Sequence, residues 1–287
     1  MELRRRFIFR GNAAAIGGRI VRPTDVVIDS STASSLTVCG GRSRARAAST
    51  KFGEWVSFAA AATSAEGVFD DVKQETELTF HRIPEDSLTT STRVMADVTG
   101  LSIGDKPKLT IKGLHAAFSS KSSSASGEPS IALGSDTVVD GAAIENGGIV
   151  YGLSLDLAVT PFQQYDTHSK LLTAVDDPQF VREWGDCLFM RQPVAGAAAP
   201  PVGRLHYGCG TIYATIVRSI RWTGNPYPGA SIDQHTVMVP NYGTIFFGEL
   251  LITALSRRLT MLRVELGSPV GGFVACAEVE NNGAWSN

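Results

Sequence analysis

The chain has 287 residues, 43% hydrophobic and 19% charged, with a formal net charge of −2. That is ample apolar material for a core, a lower charged share than the usual quarter, and no bulk electrostatic attraction for nucleic acid. No run approaches the apolar length of a transmembrane helix, and MELRRRFIFRGNAAAIGG lacks the apolar centre of a signal peptide, so a cytoplasmic location is the expectation.

Charge is unevenly spread. Residues 1–46 hold nine Arg against three acids, a local net of +6, which leaves −8 for the remainder. This basic end reads as solvated strand faces, with a polyanion-binding surface as the functional alternative. The four cysteines, Cys39, Cys187, Cys209 and Cys276, form no Cys-x-x-Cys pair and read as buried thiols rather than a disulfide framework.

In chain order, Phe7 and Phe9 face one way and Arg6, Ile8 and Arg10 the other, the period of two of a strand. Short strands are expected over 19–22 and 25–29, around Pro23, and over 35–39. The stretch RSRARAASTK (42–51) reads as a mobile basic loop. Strands follow over 54–63, where the alanines leave helix as an alternative, and over 78–83, 92–103 and 108–118. Residues 119–129 are mostly Ser, Gly, Pro and Ala and read as a flexible loop. A strand is expected over 149–159.

The best helical segments lie between 163 and 185. Thr167 can cap a turn carrying Leu171, Leu172 and Val175. Asp177-Pro178 combines a capping carboxylate with Pro at the first helical position, and Gly185 supplies a stop. Residues 192–203 are linker-like. Strands resume over 210–222 and are followed by the turn NPYPG (225–229).

Residues 236–280 are the most apolar and most regularly patterned part. Over 244–255 apolar residues fall on both faces, the pattern of a strand covered on both sides. Ser256-Arg257-Arg258 suits a hairpin connection. Leu262, Val264 and Leu266 then alternate with Arg263 and Glu265, and a third run covers 273–279. A helix over 246–266 is the alternative. Glu249 interrupts the apolar strand, so it should pair with an arginine, with Arg257, Arg258 or an arginine of the basic N-terminal region as candidates, or lie at a strand end.

The fold these elements imply is all-β, a sandwich or barrel of about 10–14 strands, with a minor helical insertion near 163–185. One domain spanning 1–287 is the reading. Two related β units, 1–135 and 136–287, are the alternative, resting on an echo between Lys108-Leu109-Thr110-Ile111 and Arg258-Leu259-Thr260-Met261.

Nucleophile elbow, zinc-protease, Walker and dinucleotide-binding motifs are all missing from the sequence. Three constellations remain. Asp166 and His168 have the spacing of an oriented imidazole, and with Glu249 they are the catalytic candidates. Cys187, His206 and Cys209 are the candidates for a zinc site, which needs three or four converging ligands. Trp222, Tyr227, Tyr242 and Trp285 are the candidates for stacking on a sugar or other flat ligand. No cofactor is expected. The leading functional reading is a non-enzymatic structural or interaction protein that self-assembles into a homo-oligomer. The alternatives are a sandwich or barrel binding a small apolar or saccharide ligand, and a hydrolase or isomerase using Asp166 and His168.

Overall fold

The computed structural model describes residues 7–21, 25–30, 32–70, 88–185, 211–267 and 272–285. Strand β1 (Phe7–Ile20) buries Phe7, Phe9 and Ala13 and exposes Ile8, Arg10 and Asn12, as its alternation dictates. Short strands β2 (Val26–Ile28) and β3 (Ala33–Ser35) fold back on it. Strands β4 (Gly41–Ala47), β5 (Thr50–Phe52), β6 (Val56–Phe58) and β7 (Ala60–Phe69) follow. Two long strands, β8 (Thr89–Gly104) and β9 (Lys108–Ser123), form a hairpin paired along almost its whole length. After β10 (Ser130–Leu133), β11 (Val138–Asp140), β12 (Ala143–Asn146) and β13 (Ile149–Leu157) comes the helical insertion: α1 (Thr160–Gln164), α2 (His168–Val175) and α3 (Pro178–Phe180), continued by a π turn over Val181–Gly185. The remaining strands are β14 (Ile212–Thr215), β15 (Val217–Trp222), β16 (Ser231–Asp233), β17 (Thr236–Val239), β18 (Gly243–Ile252), β19 (Ser256–Leu266) and β20 (Gly272–Trp285).

Every pairing is antiparallel, and the strands form two sheets. The first runs β16-β17-β18-β19-β20-β1-β2, with β14 on β18 and β3 on β1. The second runs β15-β13-β12-β9-β8-β6-β5, with β10 and β11 on β9, β7 on β8 and β4 on β7. The sheets pack face to face, β1 and β20 against β7, β8 and β9. Glycine permits close approach: a Cβ at Gly67 would lie 2.6 Å from Phe9 Cδ1. At one corner the chain passes between the sheets. The Ile216 N–H donates to Gly248 O at 2.9 Å, while its carbonyl accepts from Ala158 N at 2.7 Å.

The all-β architecture with a helical insertion is as the sequence implies, and so are both helix caps. Thr167 accepts from Lys170 N, and Asp177 from Gln179 N. The described strands exceed the expected ten to fourteen because many are three- or four-residue pieces at sheet margins.

Other details differ. The expected basic loop over 42–51 is strands β4 and β5, with Arg42, Arg44 and Arg46 on one exposed face. The Ser-rich segment expected as a loop continues β9 through Ser123, since Ser120 and Ser122 are small enough to be buried while Ser119 and Lys121 stay exposed. Residues 54–63 split into β6 and β7. The β18–β19 connection is Thr253-Ala254-Leu255, closed by the Thr253 side chain, so Ser256-Arg257-Arg258 belongs to β19. The helix alternative for 246–266 gives way to this hairpin.

The strand expected to be covered on both sides is not. Ile245 and Phe247 point inward before Gly248, and Leu250 and Ile252 point inward after it. Gly248 has φ +64°, and its pairing position with Met261 is skipped, although Phe247 pairs with Leu262 and Glu249 with Thr260. The same skip occurs at Ala277 and Ala15 in the adjoining strands. The second sheet carries its own at Gly100 and Lys112. Each sheet is thus creased along one row, and its strands swap faces there. Of the cysteines, Cys276 is buried, with its thiol pKa pushed up by burial, but Cys39 is exposed, contrary to expectation. The strand expected over 78–83 and the linker over 192–203 lie outside the described residues.

Candidate binding site

Two adjacent rows of the second sheet build a trough on its outer face. One row is Glu66, Arg93, Ser119 and Ala132; the next is Val68, Ser91, Lys121 and Ser130. In each row the residues sit opposite one another on β7, β8, β9 and β10, so their side chains share one face. Four neighbouring positions hold only Ser or Ala, and the longer Glu66, Arg93 and Lys121 rise around that shallow floor. The resulting cavity has a volume of about 420 Å³, with Thr92 and Ser120 completing the lining.

Its polar groups are partly committed. Ser91 Oγ donates to Asp70 Oδ2 at 2.6 Å, and Ser130 Oγ donates to Asp166 Oδ2. Glu66 is paired with Arg42. Among the described residues, neither Arg93 nor Lys121 has a carboxylate partner. Both are exposed. Among the described residues the trough therefore offers a mostly carbon surface with few exposed polar atoms, two cations without a carboxylate partner, and no aromatic ring.

Farther along the same face, His115 lies between two carboxylates. Its Nδ1 is hydrogen-bonded to Asp97 Oδ1, and its Nε2 comes 3.0 Å from Asp136 Oδ2 in a charge contact that is not aligned as a hydrogen bond. The Asp97 bond, helped by the attraction of both carboxylates and opposed by burial, raises the imidazole pKa above its usual value.

The sequence candidates are placed as follows. Asp166 reaches the trough rim through Ser130 and also accepts from Lys170 Nζ at 2.7 Å. Burial alone would raise its pKa, but these donors outweigh it and the net shift is downward. His168 opens α2. Glu249 is paired, as expected, but with Arg263: Nε to Oε2 and Nη2 to Oε1 are both 2.7 Å, a bidentate fork. Arg263 also binds Glu265, and its guanidinium lies 3.7 Å over the Phe246 ring. Burial pulls the Arg263 pKa down, yet the two glutamates more than offset it.

The four aromatic candidates form no shared stacking face, and none lines the trough. Tyr227 is buried edge-on against Tyr151, 5.0 Å between centroids, and its hydroxyl accepts from Asn146. Tyr242 is buried and donates to Ile103 O at 3.1 Å. Trp285 packs on Phe7 at 5.2 Å, and Trp222 sits on β15 opposite Leu153. Cys187, His206 and Cys209 lie outside the described residues. Among the described residues no group of three His, Cys, Asp or Glu could hold a metal ion, and no helix is long and apolar enough to cross a membrane.

Reasoning from sequence missed the trough serines and both cations. The available signal was the alternation of Ser119, Lys121 and Ser123 beyond Phe118, which continues the period of β9.

Residues 7–161 match the family model described as a domain of unknown function (DUF8256). The match covers more than half of the chain, which therefore belongs to this family. It includes all four trough strands. No curated protein and no solved structure matches the chain.

Proposed function

We propose that this member of the family is a non-enzymatic recognition protein that holds a small polar ligand in the trough of β7, β8, β9 and β10. The observation that carries the reading is the trough itself. Its volume of about 420 Å³ falls within the roughly 300–1,000 Å³ of small-ligand sites. Its mostly carbon floor beside Arg93 and Lys121 suits a ligand that carries polar or charged groups and an apolar face. A serine nucleophile would need a base strong enough to take its proton; Ser91 and Ser130 meet only the carboxylates of Asp70 and Asp166, a far weaker type of base than an imidazole, and Asp166 already holds Lys170. Binding is therefore favoured over hydrolysis. The test is a fragment screen by ligand-observed NMR on the wild type and on Ser119→Trp, which fills the floor. Polar fragments that bind the first and not the second support the reading; a hit set indifferent to the substitution sinks it.

Self-association into a homo-oligomer is a second reading. Phe273 and Val27 are 51% and 60% exposed and flank Arg19 in one row of the first sheet's outer face. Arg19 is itself tied to Asp25, which leaves two apolar side chains beside a neutralised pair. Light scattering during size exclusion, compared with Phe273→Ser, tests it: a monomer at high concentration in both proteins removes the proposal.

A further inference from the structure

The face that holds the trough extends to the sheet margin, and there it is basic. Arg42, Arg44 and Arg46 on β4 sit opposite Glu66, Ser64 and Ala62 of β7, which puts them on the trough side. All three are exposed, and only Arg42 has an ion-pair partner among the described residues. With Arg93 and Lys121 they make five cations on this face of β4, β7, β8 and β9, against Glu66, which pairs with Arg42, Asp97, which is engaged by His115, and Asp70, which holds Ser91 just past the end of β7. From β4 to β9 is three strand spacings, about 14 Å. That span suits a chain of several units better than a single small molecule.

The lining narrows the chemistry. Protein surfaces that hold single-stranded nucleic acid stack bases on aromatic rings, and among the described residues no aromatic side chain lines the trough. The long apolar side chains that would favour a greasy ligand are also few: only Val68 and Ala132 are apolar. What is present is a floor whose accessible surface is mostly carbon, with fixed positive charge from Arg93 and Lys121 beside it, which complements a ligand that has flat apolar ring faces and anionic groups, as an acidic sugar does.

We propose that the trough and the β4 arginines form one track for an acidic oligosaccharide, with Arg93 and Lys121 gripping its oxyanions. This rests on the trough being a ligand site, and adds the ligand's charge and length. Carboxylate and sulfate sugars share the chemistry, so the probes separate them: a hexamer of galacturonate, a heparin-derived hexasaccharide, neutral maltohexaose and a short single-stranded oligonucleotide. Each is titrated calorimetrically into the full chain at low salt.

One or both acidic sugars bind, maltohexaose does not, and affinity falls as salt is raised. Arg93→Ala with Lys121→Ala weakens binding about tenfold or more, the loss expected for charge-assisted hydrogen bonds. Arg44→Ser with Arg46→Ser weakens it several-fold and shortens the length dependence. All four positions are exposed, so melting curves that match the wild type keep folding out of the readout. Acidic-sugar binding untouched by either double variant overturns the track. Tighter binding of the oligonucleotide overturns the ligand class. Maltohexaose binding as tightly as the acids, and lost in Ser119→Trp, overturns the anionic inference while leaving the trough as the site. Binding of no probe also overturns the inference, and the fragment screen then decides the trough on its own.

Discussion

Arg257 is only 1% exposed, and among the described residues no carboxylate comes within ion-pair distance of it, although Asp166 and Glu128 attract it from farther off. Its guanidinium instead donates to the carbonyls of Phe162 and Tyr165, so a core arginine on β19 fastens the helical insertion to the sandwich. Burial pulls its pKa down to about 10, which still leaves it charged at neutral pH. Arg257→Leu should cost about 3 kcal/mol by stranding two buried carbonyls, read as a lower urea midpoint. Arg257→Lys should recover only part of that, because an ammonium lacks the fork. His115 gives a pH signature. Its folded pKa is raised above the unfolded value near 6.5, so its contribution is complete below that value and is lost as pH rises through the folded one. Stability should therefore decline with pH above the unfolded value in the wild type, and this component should vanish in His115→Gln. Equal slopes in the two proteins would remove the assignment. Neither role was legible in the sequence: Arg257 sits beside Arg258 in what reads as a polar turn, and the acids that meet His115 are 18 and 21 positions away.

At the scale of elements, the crease decides what could be read. Helix signals are local, so Thr167 and Asp177 were legible as caps from a few neighbouring residues. Strand alternation was equally legible in β1 and in Leu262, Val264 and Leu266. A strand that changes faces at its middle, however, presents apolar residues at both parities, and β18 therefore reads as covered on both sides. Gly248 is the residue that gives this away, since it has left-handed geometry and a Cβ there would come within 2.6 Å of Ile216 Cγ1. Gly248→Ala should destabilise by about 1–3 kcal/mol from backbone strain and overpacking together. Thermal unfolding checks this, and a melting temperature equal to the wild type's would mean the crease tolerates a side chain.

Across the whole molecule, the two sheets are joined by polar ties as well as apolar packing. Asn281 of β20 is fully buried; its Oδ1 accepts from Ser120 and its Nδ2 donates to Thr92 O, both on the opposing sheet. Asn281→Ala should lose about 2 kcal/mol, because it leaves a buried carbonyl and hydroxyl unpaired, measurable by denaturant titration. Such ties, like the trough, bring together residues from distant parts of the chain: Glu66, Arg93, Ser119 and Ala132 form one row. Composition and alternation showed the sheets, but register is what builds the face, and register is set by pairing that no single segment contains.

The neighbours β1 and β20 are a case of their own. Phe7 lies opposite Trp285 and Ile20 opposite Gly272, so a central seam of the first sheet joins the earliest described strand to the latest. During synthesis β1 emerges well before β20 and, though β2 and β3 can pair with it early, must wait for all the strands in between before β20 exists. The β8–β9 hairpin, whose halves emerge together, has no such delay. The second sheet can thus organise while the first is still open, and β1 spends that interval with an unpaired edge. A nascent chain released before β20 should consequently need chaperone protection that the finished protein does without.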